Sequence, residues 1–197
     1  MRRETDGVSW IAYVDESMRQ RLDGSGIYVL AAAVFDPADT VELRAVARDL
    51  GRDGRPFHWR HASPVLRRKA VSTVASLDAL HLVVVGMGLD LRRQERARRQ
   101  CLTRLLWEFG TAGVDQAWLD GRRVPQDARD LALIDSLRAR GQVAAQMRVG
   151  FVKSAAEPLV CLPDIVAGAV SSARGDGDEE YFRALEPVLT EHTIQLR

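Results

Sequence analysis

Three aspartates stand where chemistry is expected in an alternating β/α chain. Asp15 follows the apolar run at residues 8–14 (VSWIAYV) and Asp120 follows residues 114–119 (VDQAWL). Asp164 lies in the first turn of an apolar helical pattern from residue 162 to about residue 173. In open α/β sheets ligands collect at the carboxyl ends of parallel strands, so the first two acids occupy a reactive edge. If their strands are neighbours, the two carboxylates face each other; like charges held close repel, and a divalent cation between them relieves the repulsion. Ala167 and Gly168 share a helix face with Asp164, and small side chains there would let the helix approach a strand closely enough for Asp164 to reach the same ion. Each acid also has a plain structural reading: Asp15 as a strand-ending turn residue, Asp120 as part of an Asp-Gly turn with Gly121, Asp164 as a complement to a helix N-terminus. Their coincidence at one predicted edge favours a shared metal site.

The elements that must position these acids follow from the apolar patterning. Residues 8–14 and 27–35 (IYVLAAAVF), separated by Asp23-Gly24-Ser25-Gly26, predict a β-hairpin, with the first strand ending abruptly at Asp15-Glu16-Ser17. An amphipathic stretch capped by Asp39 or Thr40 runs to Leu50, and a breaker at residues 51–56 follows. Ser63 and Pro64 then open a helix to about Leu77, as N-cap and first helical residue. These two helices form an insertion over about residues 38–78. Residues 81–89 (HLVVVGMGL) predict a third strand, and the longest helical pattern spans 91 to about 110. Its apolar stripe is Leu102, Leu105, Leu106 and Phe109, with Arg92, Arg93, Arg96, Arg98, Arg99 and Arg104 around it. A fourth strand ending in Asp120, a helix over 126–140, a fifth strand over 147–152, the helix bearing Asp164 and one short tail helix complete the order. A hairpin followed by alternating strands and helices predicts one α/β domain over residues 1–197, with a mixed five-stranded sheet and helices on both faces.

Composition bounds the partners. The chain has 197 residues, 46% hydrophobic and 28% charged, with a formal net charge of +1. That excludes a strongly basic protein that coats nucleic acid, so any such contact must be local. All but two (Lys69 and Lys153) of the 28 basic residues are arginine, which reads first as codon bias. Arg92, Arg93, Arg96 and Arg99 recur at helical spacing and offer a phosphate-gripping face, but without interleaved aromatics a solvated face is the simpler reading. Trp10, Trp107 and Trp118 read as packing residues. Cys101 and Cys161 are isolated, without zinc spacing, and suit a reducing cytosol. No signal-peptide core is present and no apolar run approaches the ~18 residues that span a bilayer, so a cytoplasmic protein without membrane contact is expected. No feature demands an oligomer.

Three segments together resemble a known family. Tyr13-Val14-Asp15-Glu16-Ser17, Phe57-His58-Trp59 and the run from Glu157 through Leu162-Pro163-Asp164 to Ala169 are similar, in this order, to the uncharacterised domain-of-unknown-function family 3800. The resemblance spans nearly the whole chain and implies a ribonuclease H-like fold with a metal site. Family members often carry Glu where this chain has Asp120, an acid shorter by one methylene. Nucleases of this fold use two divalent cations, one activating water and one stabilising the leaving oxygen of a phosphodiester. An all-carboxylate cage suits Mg2+ or Mn2+. The resemblance thus implies a metal-dependent phosphodiester hydrolase acting on RNA or DNA, with Asp15, Asp120 and Asp164 as ligands. Glu16 is a further candidate, although as the next residue of a strand it faces the other way unless the strand has ended. Glu157 stands equally as a fourth ligand or a solvated loop acid. His58 is a candidate acid, base or water-positioning group, and His61 a weaker one; a packed or capping histidine is the commoner outcome. The alternative, from another class, is a non-catalytic module that binds nucleic acid or protein and keeps a structural or vestigial metal site.

Overall fold

The computed structural model describes residues 9–21, 25–51 and 54–197. β1 (Trp10–Gln20) pairs antiparallel with β2 (Gly26–Phe35), which is buried along its whole length. The Asp23-Gly24 part of the expected turn and Val8 lie outside the described residues. A 3-10 turn at Pro37–Asp39, capped by the Asp36 carboxylate, leads into α1 (Thr40–Leu50). α2 (Pro64–Ala75) begins as predicted, with the Ser63 hydroxyl accepting from the Leu66 N–H and proline in the first turn. β3 (Leu80–Leu89) pairs antiparallel with β2, so both helices fill the connection between adjacent strands.

α3 (Gln94–Ala112) follows and stops at Gly113, whose φ of 74° places it in the left-handed region that glycine tolerates best. β4 (Val114–Asp120), α4 (Val124–Ala139), β5 (Arg148–Val152) and α5 (Cys161–Ser171) follow in the expected order. After α5 the chain makes one π turn over Ser172–Asp176, then α6 (Phe182–Leu185) and β6 (Leu189–Gln195). The sheet therefore has six strands rather than five, in the order β5-β4-β1-β2-β3-β6, with β2 alone opposing the others. β6 was hidden because it is a half-buried edge strand, LTEHTIQ, with little apolar content.

Strand alternation divides the interior into two cores. Tyr13, Val29, Ala31 and Phe35 face α1, α2, α5 and α6; Ala12, Val14, Leu30 and Val84 face α3 and α4. Helices thus cover both faces. No helix among the described residues is long and apolar enough to cross a membrane. Trp107 departs from the packing role expected of it: it is 55% exposed on α3, with the Arg104 guanidinium over its ring.

His81, near the start of β3, is completely buried, and its ring nitrogens have no well-formed hydrogen-bond partner among the described residues. Burial pushes its pKa down to about 4, against the opposing influence of the Val74 backbone. The folded chain therefore holds this imidazole neutral while the unfolded chain takes up a proton near pH 6.5, so its contribution to stability is intact above that pH and falls as the pH drops toward 4. Between about pH 7 and about pH 4, His81→Leu is expected to gain about 3 kcal/mol relative to the wild type in urea unfolding. A pH-independent difference between the two proteins would contradict this account.

Candidate active site

β1 and β4 are direct parallel neighbours, with Val14 opposite Leu119, so the next residues, Asp15 and Asp120, end up side by side. Both belong to the sheet face covered by α5, the helix most extensively packed on β1. Asp164, in the first turn of α5, completes the group. β1 does not end at Asp15, as the polar run suggested, but pairs with β2 through Gln20. The hairpin projects past the end of β4, where exposed polar residues are tolerated.

Burial acts on all three acids, and mutual repulsion on Asp15 and Asp164. Asp15 is raised well above the usual carboxylate pKa, first by burial and then by repulsion from Asp164 and Asp120. Asp164 is pushed up to about 6 by burial and by Asp120, against the Trp59 N–H and the nearby His58 and His61. Burial also raises Asp120, opposed by the Ser154 N–H and by Lys153. Among the described residues no three His, Cys, Asp or Glu side chains already converge tightly enough to hold an ion. The donor chemistry fits a hard divalent cation: three carboxylates on one face, each disfavoured as an anion by burial, with like charge nearby for Asp15 and Asp164.

Trp59 sets Asp164. Its backbone N–H donates to Asp164 Oδ2 at 2.8 Å, and Arg67 holds the Trp59 carbonyl from two nitrogens at 3.2 and 3.0 Å. The buried indole meets Tyr181 edge-on, with centroids 5.1 Å apart. Gly168 opens space for this ring: a Cβ there would lie 2.2 Å from Trp59 Cγ. The small residue one turn after Asp164 therefore seats a tryptophan rather than a strand. The same segment carries His58, whose Nδ1 lies 3.8 Å from Asp164 Oδ2 and whose ring is about half exposed. His61 packs edge-on against His58.

The remaining acids are committed elsewhere. Glu157 caps the turn before α5 through the Leu159 N–H and is gripped by Arg44 from Nε and Nη2, with Tyr13 donating to it. Glu16 lies on the opposite face, where Arg98 and the Tyr28 hydroxyl both donate to its Oε2. Arg98 was grouped with the surface arginines of α3, yet its side chain is only 3% exposed. The signal was legible, because Arg98 shares the apolar stripe with Leu102 and Leu105 at helical spacing. Arg98 also meets Asp130 at 2.8 Å, and Asp130 in turn meets Arg122 just after Asp120. Burial alone would lower the Arg98 pKa, but Glu16, Tyr28 and Asp130 outweigh it and raise it. Arg92, Arg93, Arg96 and Arg99 are exposed, as a solvated face would be.

No family model matches the chain, and no curated protein matches it. Solved structures do. Ribonuclease H2 from Pyrococcus horikoshii OT3 aligns with a TM-score of 0.50 and 19% identity over 88% of this chain and 75% of that one. RNase HII from Archaeoglobus fulgidus, solved in complex with PCNA, aligns with a TM-score of 0.52 and 16% identity over 90% and 76%. The strand order, the antiparallel opening hairpin and these two similarities agree: the chain has a ribonuclease H-like fold.

Proposed function

We propose that the chain is a divalent-metal-dependent phosphodiesterase acting on nucleic acid, with Asp15, Asp120 and Asp164 as metal ligands, and that it belongs with family 3800. The observation that carries this reading is the placement of three partly buried acids from distant segments on one face, at the carboxyl edge of the parallel strands. Similarity in fold to two ribonucleases agrees with it, although fold by itself does not fix chemistry. When bound at these acids, Mg2+ or Mn2+ would supply an activated water and stabilise the charge developing on the leaving oxygen. Water adds across the P–O bond, leaving a phosphomonoester and a free hydroxyl. The three aspartates would hold the ion, through which the phosphodiester would be oriented. His58, beside Asp164 and open to solvent, hands a proton to the departing oxygen. Glu157 is tied to Arg44 and Tyr13 on the face of the three acids, and Glu16 to Arg98 on the reverse face.

A second reading, a non-catalytic module that binds nucleic acid or protein around a structural ion, draws on that commitment of Glu16 and Glu157 to arginines, which leaves only three acids for metal. Incubation with labelled single- and double-stranded RNA, DNA and hybrids, with and without Mn2+, separates the two. The enzyme reading expects Mn2+-dependent cleavage of at least one substrate; retention of a substrate without cleavage under any condition supports the module.

A further inference from the structure

Past the Val14–Leu119 pair β1 leaves β4, and over residues 15–19 its only strand neighbour among the described residues is β2. Side chains alternate across this projecting hairpin. Ser17 bonds Ser171 at 2.9 Å and Arg19 pairs with Asp176 on the α5 side, whereas Glu16 and Met18 face α3 and α4. On that reverse face a cavity of about 470 Å³ opens between Glu16, Met18 and Tyr28 of the hairpin, Gln94 at the start of α3, and Arg122 and Arg123 of the loop after Asp120. Glu95 and Gln126 also line it, with Glu95 accepting from both Arg122 and Gln126. Behind Glu16 and Arg122 lie the buried charges of Arg98 and Asp130, which cost desolvation and hold only when their geometry is fixed.

The groups left over at the rim define what would bind. Arg98 and Tyr28 both use Glu16 Oε2, and Oε1 accepts from no described donor. The Gln94 carboxamide and the Arg123 guanidinium take no part in the network of ion pairs beneath them. A free carboxylate oxygen seeks N–H donors; a carboxamide and a guanidinium offer donors to a carbonyl or ring nitrogen; the Met18 thioether and the Tyr28 ring present surfaces to a flat face. Guanine matches this set, with N1–H and the N2 amino group toward Glu16 and O6 or N7 toward Gln94 and Arg123. The cavity is also of nucleoside size. Asp15 and Glu16 are consecutive residues on opposite faces of β1, so the pocket adjoins the three acids across the width of one strand.

We propose that this cavity is a base-recognition pocket for a guanine adjoining the phosphodiester at Asp15, Asp120 and Asp164; its place beside that site rests on the functional reading above. The test titrates the four ribonucleoside 5′-monophosphates into the full chain without divalent metal, following intrinsic tryptophan fluorescence or calorimetry. GMP should bind about 10-fold or more tightly than UMP, and the Gln94→Ala/Arg123→Ala double variant, which spares the buried network, should lose about 10-fold or more of that affinity. A thermal melt matching the wild type verifies that the variant is folded. Equal binding of the four nucleotides, no binding, or wild-type affinity in the folded double variant would overturn the pocket. GMP-selective binding in a protein that cleaves no substrate leaves the pocket standing and removes the nuclease reading; cleavage without GMP selectivity does the reverse.

Discussion

Asp15→Asn should abolish metal-dependent cleavage, by about 10³-fold or more, while the protein stays folded. Asparagine keeps the shape and can still accept a hydrogen bond, but it removes the one charge that burial, Asp164 and Asp120 all act upon. An anion so disfavoured gains from a cation and loses little when it becomes neutral. The substitution is therefore expected to leave metal-free stability unchanged or raised at neutral pH, because it relieves repulsion and desolvation together. Cleavage rate and urea midpoint, measured on the same preparation, give the answer. Unchanged cleavage would remove Asp15 from the reaction, and a large loss of stability would make it a structural residue.

The second large effect is expected at Gly168. Adding one methyl there drives a carbon to 2.2 Å from the Trp59 ring, in a region where the helix and the indole are both buried. The tryptophan must leave or α5 must shift, and either outcome costs about 3 kcal/mol or more, in the range of a lost core aromatic. A shift of α5 would also move Asp164 relative to the Trp59 backbone N–H that donates to it. Gly168→Ala should therefore destabilise the chain strongly, and Trp59→Ala combined with it should cost less than the two changes added separately, because the second removes the clash made by the first. Denaturant unfolding of the two single variants and the double variant measures this. Additive effects, or a Gly168→Ala variant within about 0.5 kcal/mol of the wild type, would mean that Trp59 is not seated as described.

Much of the fold was legible because its buried strands are continuous apolar runs and α2 begins at a recognisable cap, although α1 starts without the side-chain cap expected of Asp39 or Thr40. β2, IYVLAAAVF, could be little else, and Ser63-Pro64 opens α2 as local physics requires. β6 escaped because an edge strand needs apolar residues on one side only and here has few. The extension of β1 to Gln20 escaped for a related reason: its polar residues are held by cross-strand pairing to β2, a long-range fact that local polarity conceals. The placement of Asp15 beside Asp120 depended on strand order, which rests on the β1–β4 crossover and not on either segment alone. Arg98 shows the opposite failure. Its helical position pointed inward, but the abundance of arginine in the chain drew it into the surface set, and only its partners Glu16 and Asp130, distant in sequence, account for a buried guanidinium.

The most direct measurement is calorimetric titration of Mn2+ into the wild-type chain and into Asp15→Asn, Asp120→Asn and Asp164→Asn. Saturable binding by the wild type, weakened about 10-fold or more by each substitution and by less than the product when two are combined, is the predicted result. A wild-type chain that takes up no ion, or an affinity indifferent to all three changes, would contradict a shared centre.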